Sequence, residues 1–192
     1  VPREGRCREM SPHRRSYTDE YLDPEKVLSL LKKKFRKTSD DMVLREHRGG
    51  AANGGSYQCL WVRVEKHRFL DMVDTLMEID FPHFQITSGD DIGDAIELNY
   101  HFSIFRSVGR GKRLGVTVSV VVPKDDLVMP SLWERIPGTE YSEREIREMF
   151  GVDFDGLPNK GLVFLPEDWD EDIKPWRRDE TGPKPEDIRE LS

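Results

Sequence analysis

The chain has 192 residues, of which 36% are hydrophobic and 35% charged, and its 30 Lys and Arg against 37 Asp and Glu give a formal net charge of −7. This length predicts one ordinary domain with a tail, large enough to bury a core without disulfide or metal support. The two cysteines, Cys7 and Cys59, lie outside any CxxC or Cys/His cluster, which excludes an iron–sulfur cluster, a structural zinc site and a disulfide scaffold. With no signal-peptide core and no apolar run near the roughly 20 residues of a membrane span, we expect a soluble, cytoplasmic protein.

The first segment, residues 1–18, is predicted to be a flexible basic arm. Residues 1–15 contain five Arg and two Glu, a net charge of +3. Such a segment is typical of a frayed terminus, and docking on an acidic partner is the alternative. The high mixed charge of the whole chain is typical of hyperthermophile surfaces. Its negative balance does not favour a general nucleic-acid binder.

Two helices are predicted in the next segment. Asp23 can cap the first helix and Pro24 suits its first position. Apolar residues then share one helical face, at Val27, Leu28, Leu31 and Phe35. The second helix has the same kind of spacing, at Phe69, Leu70, Val73, Leu76 and Met77.

Four stretches have the composition or alternation of strands: 42–45, 56–64, 96–104 and 114–122. The last two alternate apolar and polar residues with a period of two, as expected of a strand with one buried face. Residues 108–112, with two glycines, are predicted to form the hairpin turn between them. The resulting fold class is α+β, a mainly antiparallel sheet with helices on one face, over residues 19–137.

Residues 138–192 are predicted to hold one short helix and an extended tail. Ser142 and Glu145 fit a capping box, and Gly151 fits the position after the helix. Eight of the 12 prolines lie from residue 123 onward. The tail nevertheless carries four large apolar residues, Phe154, Phe164, Trp169 and Trp176. Because no helix or strand period organises them, we expect the tail to gain little by folding back and to pack along another protein.

The residue types of several chemical sites are present without the necessary pattern. Glu143, Glu145 and Glu148 are explained as acidic residues that favour a helix N-terminus. Residues 153–156 have their glycine at the wrong place for a calcium loop. The acidic residues within 168–172 are typical of a solvated face. The glycines and cations of 109–113 are typical of a charged hairpin tip. His101 is expected to bond across the sheet to Thr117 or Ser119.

The segment 143–158, EREIREMFGVDFDGLP, resembles a long signature of the NuoC-type subunit of respiratory complex I. The resemblance continues through 165–169 (LPEDW) and 175–179 (PWRRD) and covers roughly residues 20–180. Glu148 and Leu157 depart from the family pattern, which has aspartate and histidine at these positions. The amino-acid sequence of the tail is more similar to that of the homologous subunit of archaeal membrane-bound [NiFe] hydrogenases and sulfane sulfur reductases.

The resemblance implies a subunit of an ion-translocating oxidoreductase complex that itself carries no catalytic residue and no cofactor. Iron–sulfur clusters, and a NiFe centre where one exists, would lie in partner chains. The implied partners are a NuoD-like or hydrogenase-like large subunit, NuoB-like and NuoI-like iron–sulfur subunits and, indirectly, the membrane arm, but no nucleic acid. The implied location is peripheral, on the cytoplasmic side of the membrane. The implied contact residues are Glu143, Arg144, Glu145, Met149, Phe150, Gly151, Phe154, Pro158, Leu165, Trp169, Pro175, Trp176, Arg177, Arg178 and Asp179.

Two other classes of function stay open from the residues alone. One is a freestanding nucleic-acid or phosphate-binding module that uses the arginines of 3–15 and 110–113, for which binding would depend on salt. The other is a hydrolase with a carboxylate pair on the predicted helix at Glu143. The electron acceptor of the complex, whether protons, sulfane sulfur, a quinone or methanophenazine, would be determined by partner chains.

Overall fold

The computed structural model describes residues 16–35, 42–49 and 54–187. Its main sheet has five strands in the order β1-β2-β5-β4-β3. Their bounds are β1 Met42–Gly49, β2 Gly55–Val64, β3 His83–Asp91, β4 Ala95–Ile104 and β5 Leu114–Pro123. Two short strands, β6 Val128–Pro130 and β7 Asp153–Asp155, form a second, parallel pair. The helices are α1 Pro24–Lys34, α2 Phe69–Ile79 and α3 Glu140–Phe150.

The pairing of the strands confirms the predicted α+β class. β1 with β2, β3 with β4, and β4 with β5 are antiparallel, and β2 with β5 is parallel. The alternation in β4 and β5 places Tyr100 and Val118 opposite each other on the buried face. Phe69, the first residue of α2, packs there with its ring centroid 4.3 Å from that of Tyr100. The core therefore lies between this face and the helices.

The predicted starts of the first two helices are confirmed, and α1 shows the physical reason. The Asp23 carboxylate accepts the backbone N–H of Glu25 at 3.0 Å, and Pro24 occupies the first turn. Val27 and Leu31 are fully buried, as their spacing predicts. The last turn carries three lysines, which interact favourably with the negative end of the helix dipole.

Strand β3 was not predicted. It lies at the edge of the sheet, and its register shifts between Phe84 and Ile86, so a bulge breaks the period of two. Its remaining residues include Ser88, Gly89 and Asp90, which have low strand propensity. Pairing with β4 along the whole strand outweighs that weak local preference.

The face of the sheet opposite the core carries polar side chains, some of which form hydrogen bonds with one another. His101 accepts or donates at both ring nitrogens, Nδ1 to Thr117 Oγ1 at 3.1 Å and Nε2 to Ser88 Oγ at 3.0 Å. The predicted bond from His101 to Thr117 is thus confirmed. Cys59 is half-buried on this face, with Sγ 3.8 Å from Thr117 Oγ1.

Residues 1–15 of the predicted arm, with Cys7, lie outside the described residues. The end of the arm packs on the domain: Tyr17 stacks edge-on against Phe81 with centroids 5.7 Å apart, and the Thr18 N–H donates to Asp80 at 2.7 Å. The hydrophobic cluster extends past residue 137, where the sequence predicted a boundary, and includes Ile146 and Phe154. Within 16–35, 42–49 and 54–187, no helix has the length and hydropathy of a membrane span.

Gly89 gives a direct test of how α3 packs on the sheet. A Cβ at this position would lie 2.6 Å from Phe150 Cε2, closer than real Cβ contacts allow. We therefore expect Gly89→Ala to displace the Phe150 ring and lower the free energy of unfolding by about 1–3 kcal/mol, as overpacking does. Gly138→Ala is the matched control, because a Cβ there meets nothing within 4 Å. Urea unfolding of both variants checks this, and equal stabilities would contradict the packing described.

Candidate subunit-contact surface

Helix α3 begins in a different way from the prediction. Its N-cap is Thr139, which makes no side-chain capping bond, and Ser142 lies inside the first turn. Ser142 Oγ instead accepts the backbone N–H of Thr87 on β3 at 3.1 Å. The predicted capping box of Ser142 and Glu145 is therefore wrong, because the hydroxyl fixes the helix to the sheet edge. The predicted end is confirmed: Gly151 has φ +77°, and its N–H donates to Arg147 O.

Glu143 is fully buried, and both its carboxylate oxygens have partners within the chain. Oε2 accepts the Ser131 hydroxyl at 2.5 Å and Oε1 accepts the Leu132 N–H at 2.7 Å. Burial raises the pKa of this carboxyl above its ordinary value, and the hydrogen bonds only partly offset that effect. Glu143 therefore fixes the loop after β6 to α3, and it lies in the first helical turn, where an acidic residue is expected to favour the helix dipole.

The raised pKa of Glu143 has a sign that can be tested. The unfolded chain loses the Glu143 proton near the ordinary pKa of 4.5, and the folded chain loses it at a higher pH. Folding stability therefore falls as pH rises from the unfolded-state pKa to the folded-state pKa. Glu143→Gln keeps an acceptor for Leu132 and a polar partner for Ser131, and it cannot ionise. We expect the variant's unfolding free energy, minus that of the native chain, to increase from pH 4 to pH 7. Urea unfolding across this range measures the difference, and a difference that decreases with pH would contradict the assignment.

Glu148 and Arg144 fix the segment that follows β7. The Glu148 carboxylate accepts the backbone N–H of Val163 and, at 3.0 Å, that of Phe164. The Arg144 guanidinium donates to the carbonyl oxygens of Gly161 and Leu162, each at 3.0 Å. These side chains replace the backbone ladder that residues 160–164 lack, since no helix or strand contains them. Glu148, like Glu143, thus has a structural role inside the chain.

A second set of charges fixes the end of the tail to the sheet. We define the tail clasp as Asp91, Lys124, Arg177 and Asp179. Lys124 Nζ lies 2.8 Å from the Asp91 carboxylate and 2.5 Å from that of Asp179. Arg177 Nη2 lies 2.7 Å from Asp179. The hydrogen bond from Arg177, together with that from Lys124, holds the pKa of Asp179 far below its ordinary range.

The buried member of the tail clasp is Asp91, whose side chain is 1% exposed. It accepts the backbone N–H groups of Arg178 at 2.8 Å and Gly93 at 3.1 Å. Burial raises the pKa of Asp91, but the Lys124 ammonium and these N–H groups lower it by more than burial raises it. The pKa of Asp91 is therefore below its ordinary value. The expectation that the tail gains little by folding back is therefore wrong for its 174–181 stretch. Deleting 165–192 would leave Asp91 and Lys124 without half of their partners.

Three large side chains at α3 and the tail remain exposed, and we call Tyr141, Phe164 and Trp176 the α3 surface. Their exposed fractions are 64%, 60% and 46%. Tyr141 is on the helix, the Phe164 N–H donates to Glu148, and the Trp176 N–H donates to the Met149 carbonyl. Trp176 also meets Phe150 edge-on, with centroids 5.4 Å apart. Anchored aromatic residues that stay exposed are typical of a protein contact.

The predicted contact residues divide into three groups by burial. Buried within the chain, and so below the surface rather than on it, are Glu143, Arg144, Met149, Phe150 and Phe154. Half-buried are Glu145, Gly151, Leu165, Trp169, Pro175, Arg177 and Asp179. Exposed are Pro158, Trp176 and Arg178. Phe154, expected among the tail's partner-seeking residues, instead enters the core, because β7 pairs with β6.

The sequence predicted Phe164 only as one of the apolar tail residues that pack along another protein, and it did not predict Tyr141 as a contact residue. Phe164 had a signal, since it is a large apolar residue in a segment without periodicity. Tyr141 had none, because an aromatic residue one position before Ser142 is compatible with either face of a helix. Of the described residues, no group of three or more His, Cys, Asp or Glu side chains is arranged to hold a metal ion.

Comparison with known proteins connects this geometry with one family. The model of a family described as the respiratory-chain NADH dehydrogenase 30 Kd subunit matches residues 62–186. The membrane-bound hydrogenase subunit beta of Pyrococcus furiosus is 30% identical over 159 residues, which cover 82% of this chain and 86% of that one. Hydrogenase-4 component G of Escherichia coli is 34% identical over 88 residues, 45% of this chain and 16% of that longer one.

A solved structure shares the fold. It belongs to the membrane-bound sulfane sulfur reductase, described as an archaeal respiratory membrane complex. The superposition has a TM-score of 0.59 at 21% identity and covers 78% of this chain and 82% of that one.

Proposed function

Because the chain belongs to the family of the 30-kDa subunit of respiratory-chain NADH dehydrogenase, we propose that it is a structural subunit of a complex I-related, membrane-bound respiratory complex of the hydrogenase or sulfane sulfur reductase type. It takes no part in the chemistry itself. Its place is peripheral, on the cytoplasmic side of the membrane. The iron–sulfur clusters, and a NiFe centre where one exists, lie in partner chains, which also determine the electron acceptor.

The observation that carries this proposal is the α3 surface. Two buried sets of charges, around Glu148 and around Asp91, fix the backbone that presents Phe164 and Trp176, and these rings remain exposed. Exposed aromatic side chains on a fixed backbone lose little conformational freedom on binding, which favours a stable contact. We infer that this surface packs on the hydrogenase-like or NuoD-like large subunit, with iron–sulfur subunits of the same complex nearby.

Two further observations support a structural role. The carboxylates of Glu143 and Glu148, the acidic residues that most resembled a catalytic pair, are buried and bound to groups of the chain itself. A carboxylate so placed has no free oxygen to offer a substrate. In addition, the counterpart in hydrogenase-4 component G is a minor part of a longer polypeptide. That arrangement is consistent with a module that works in contact with other protein.

Affinity purification tests the proposal. The full chain is produced in its source cells with a tagged large subunit of the complex, and the purified material is analysed by gel and mass spectrometry. We expect the chain to be recovered in a fixed ratio to the large subunit. Recovery of a fully active complex that lacks this chain would contradict the proposal.

A further inference from the structure

The loop between β4 and β5 carries an isolated concentration of positive charge. We define the basic end as Arg106, Arg110, Lys112 and Arg113, all exposed. Residues 105–113 include no Asp or Glu, although the chain as a whole has a net charge of −7. A local charge opposite to that of the molecule points to recognition, because it is not explained by solubility.

The loop is held in a defined conformation at its start. Phe105 has φ +61°, a left-handed conformation that is costly for a side chain of this size. Its N–H donates to Asp80 Oδ2 at 2.5 Å, and Asp80 is fully buried. The second carboxylate oxygen of Asp80 accepts the Thr18 N–H. A buried carboxylate therefore fixes both the loop and the chain segment beside it.

Two of the four cations in the basic end have no hydrogen-bond or ion-pair partner among the described residues. Arg106 donates to His83 Nε2, and Lys112 Nζ lies 4.5 Å from the centroid of the Tyr21 ring. Within the part of the chain that the structure describes, Arg110 and Arg113 make no hydrogen bond or ion pair. Burial, followed by the charges of Arg106 and Arg113, lowers the pKa of His83. The pKa of His83 therefore depends in part on the positive charge of the loop.

A hollow of about 460 Å³ lies beside these cations. Its walls include Tyr21, Tyr57, Gln58 and the 109–113 stretch, and among the described residues Glu46 is the one acidic residue that lines it. The space is sufficient for a few side chains. Aromatic walls with guanidinium groups at the rim suit carboxylates, which Arg binds in a bidentate manner.

The basic end is far from the tail clasp. It follows the last residue of β4, whereas the tail clasp lies beyond the other ends of β4 and β5. Ten residues at about 3.3 Å each separate the two ends by about 30 Å. Tyr17 contacts His83, so the chain from Ser16 backwards starts beside the basic end, and residues 1–15 add a charge of +3. Their net charge has the same sign as that of the basic end.

We propose that the basic end is a second docking site and that it binds an acidic, extended segment of a partner protein, with carboxylates on Arg110 and Arg113 and neighbouring side chains in the hollow. A protein segment fits better than a long uniform polyanion, because the acidic residues 167–172 and the net charge of −7 would repel the latter. The inference goes beyond the proposed function and does not depend on the α3 surface.

A peptide titration with the full chain tests it. The probe is a fluorescent eight-residue peptide of alternating Glu and Gly, and its Gln counterpart controls for charge. Binding is measured by anisotropy at an ionic strength of about 20 mM, where screening is weak. We expect the Glu peptide to bind and the Gln peptide not to bind. Arg110→Glu with Arg113→Glu should weaken binding by about tenfold or more. Lys32→Glu with Lys33→Glu, the same change of charge on the exposed end of α1, should change it by less than about threefold.

Nuclear magnetic resonance measures the pKa values of His83 and His101, which distinguish binding at the loop from a general effect of charge. Bound carboxylates should offset the potential of the loop and raise the pKa of His83. His101, whose pKa is lowered by burial alone, should titrate unchanged. No binding, equal binding by both double variants, or an unchanged His83 would overturn the proposal. Binding of single-stranded DNA or of anionic lipid vesicles at the same arginines, without binding of the peptide, would also overturn it and identify a different class of partner.

Discussion

Asp91→Ala is expected to lower the free energy of unfolding by about 2–3 kcal/mol, because it removes a buried carboxylate that accepts from a charged group and from backbone N–H groups. Lys124 and the backbone N–H of Arg178 would lose their acceptor, and Asp179 would have to satisfy Lys124 alone. For a chain of this size, each kcal/mol corresponds to about 2–4 °C in Tm. Urea unfolding followed by circular dichroism measures the loss.

The adjacent acidic residue is the matched control. Asp90 forms an ion pair with Arg178 in which both side chains are mostly exposed, so Asp90→Ala should cost less than about 1 kcal/mol. Trypsin should also cleave at Arg177 and Arg178 sooner in the Asp91 variant, because the tail clasp no longer holds that segment. Equal stability of the two variants would contradict the role given to Asp91.

The same residue determines part of the response to acid. The pKa of Asp91 is below its ordinary value of 3.8, so its contribution to stability is present above that value and is lost as pH falls through the folded-state pKa. The Asp91 variant should therefore lose less stability than the native chain between neutral pH and pH 3.

Phe164→Ala should weaken assembly with the large subunit by about 2 kcal/mol or more, roughly a thirtyfold loss of affinity, if the ring is a hot spot of the contact. The isolated chain should change by less than about 0.5 kcal/mol, because the ring is 60% exposed and its removal opens no cavity. Trp176→Ala should weaken assembly as well, but it also removes the contact with Phe150. Phe164 therefore separates binding from folding more cleanly.

Ile86→Ala is the control for this prediction. Ile86 is 53% exposed and lies on β3, directly opposite His101 of the polar face. Its loss should change neither the stability of the chain nor its assembly. Calorimetric titration of the large subunit with each purified variant gives the affinities. Phe164→Ala with native affinity, or Ile86→Ala with a loss as large, would place the contact elsewhere.

The elements that sequence alone could predict are those with a local pattern. β4 and β5 alternate apolar and polar residues over most of their length, and α1 combines a capping aspartate, a proline and one apolar face. β3 could not be predicted, because a bulge and polar residues remove its alternation. What stabilises it is its pairing with β4, a long-range contact with no local signature.

The candidate site was predictable in position but not in its internal chemistry. The motif from Glu143 to Phe150 predicted a short helix at the subunit contact, and helix α3 occupies this segment. Carboxylates are ordinarily exposed, so nothing in the spacing of Glu143 and Glu148 indicated that both are buried. Their partners follow or precede them by 11–16 residues in segments without regular structure. The bond between Asp91 and Arg178 spans 87 residues, and no local pattern connects the two.

The most direct test of the structural role is a map of what lies against the α3 surface in the assembled complex. A photo-crosslinking analogue of phenylalanine replaces Phe164 in one preparation and Ile86 in another. After irradiation of the purified complex, mass spectrometry identifies the crosslinked subunit. We expect crosslinks from position 164 to the large subunit and none from position 86. Crosslinks to the large subunit from position 86 but not from position 164 would contradict the structural role.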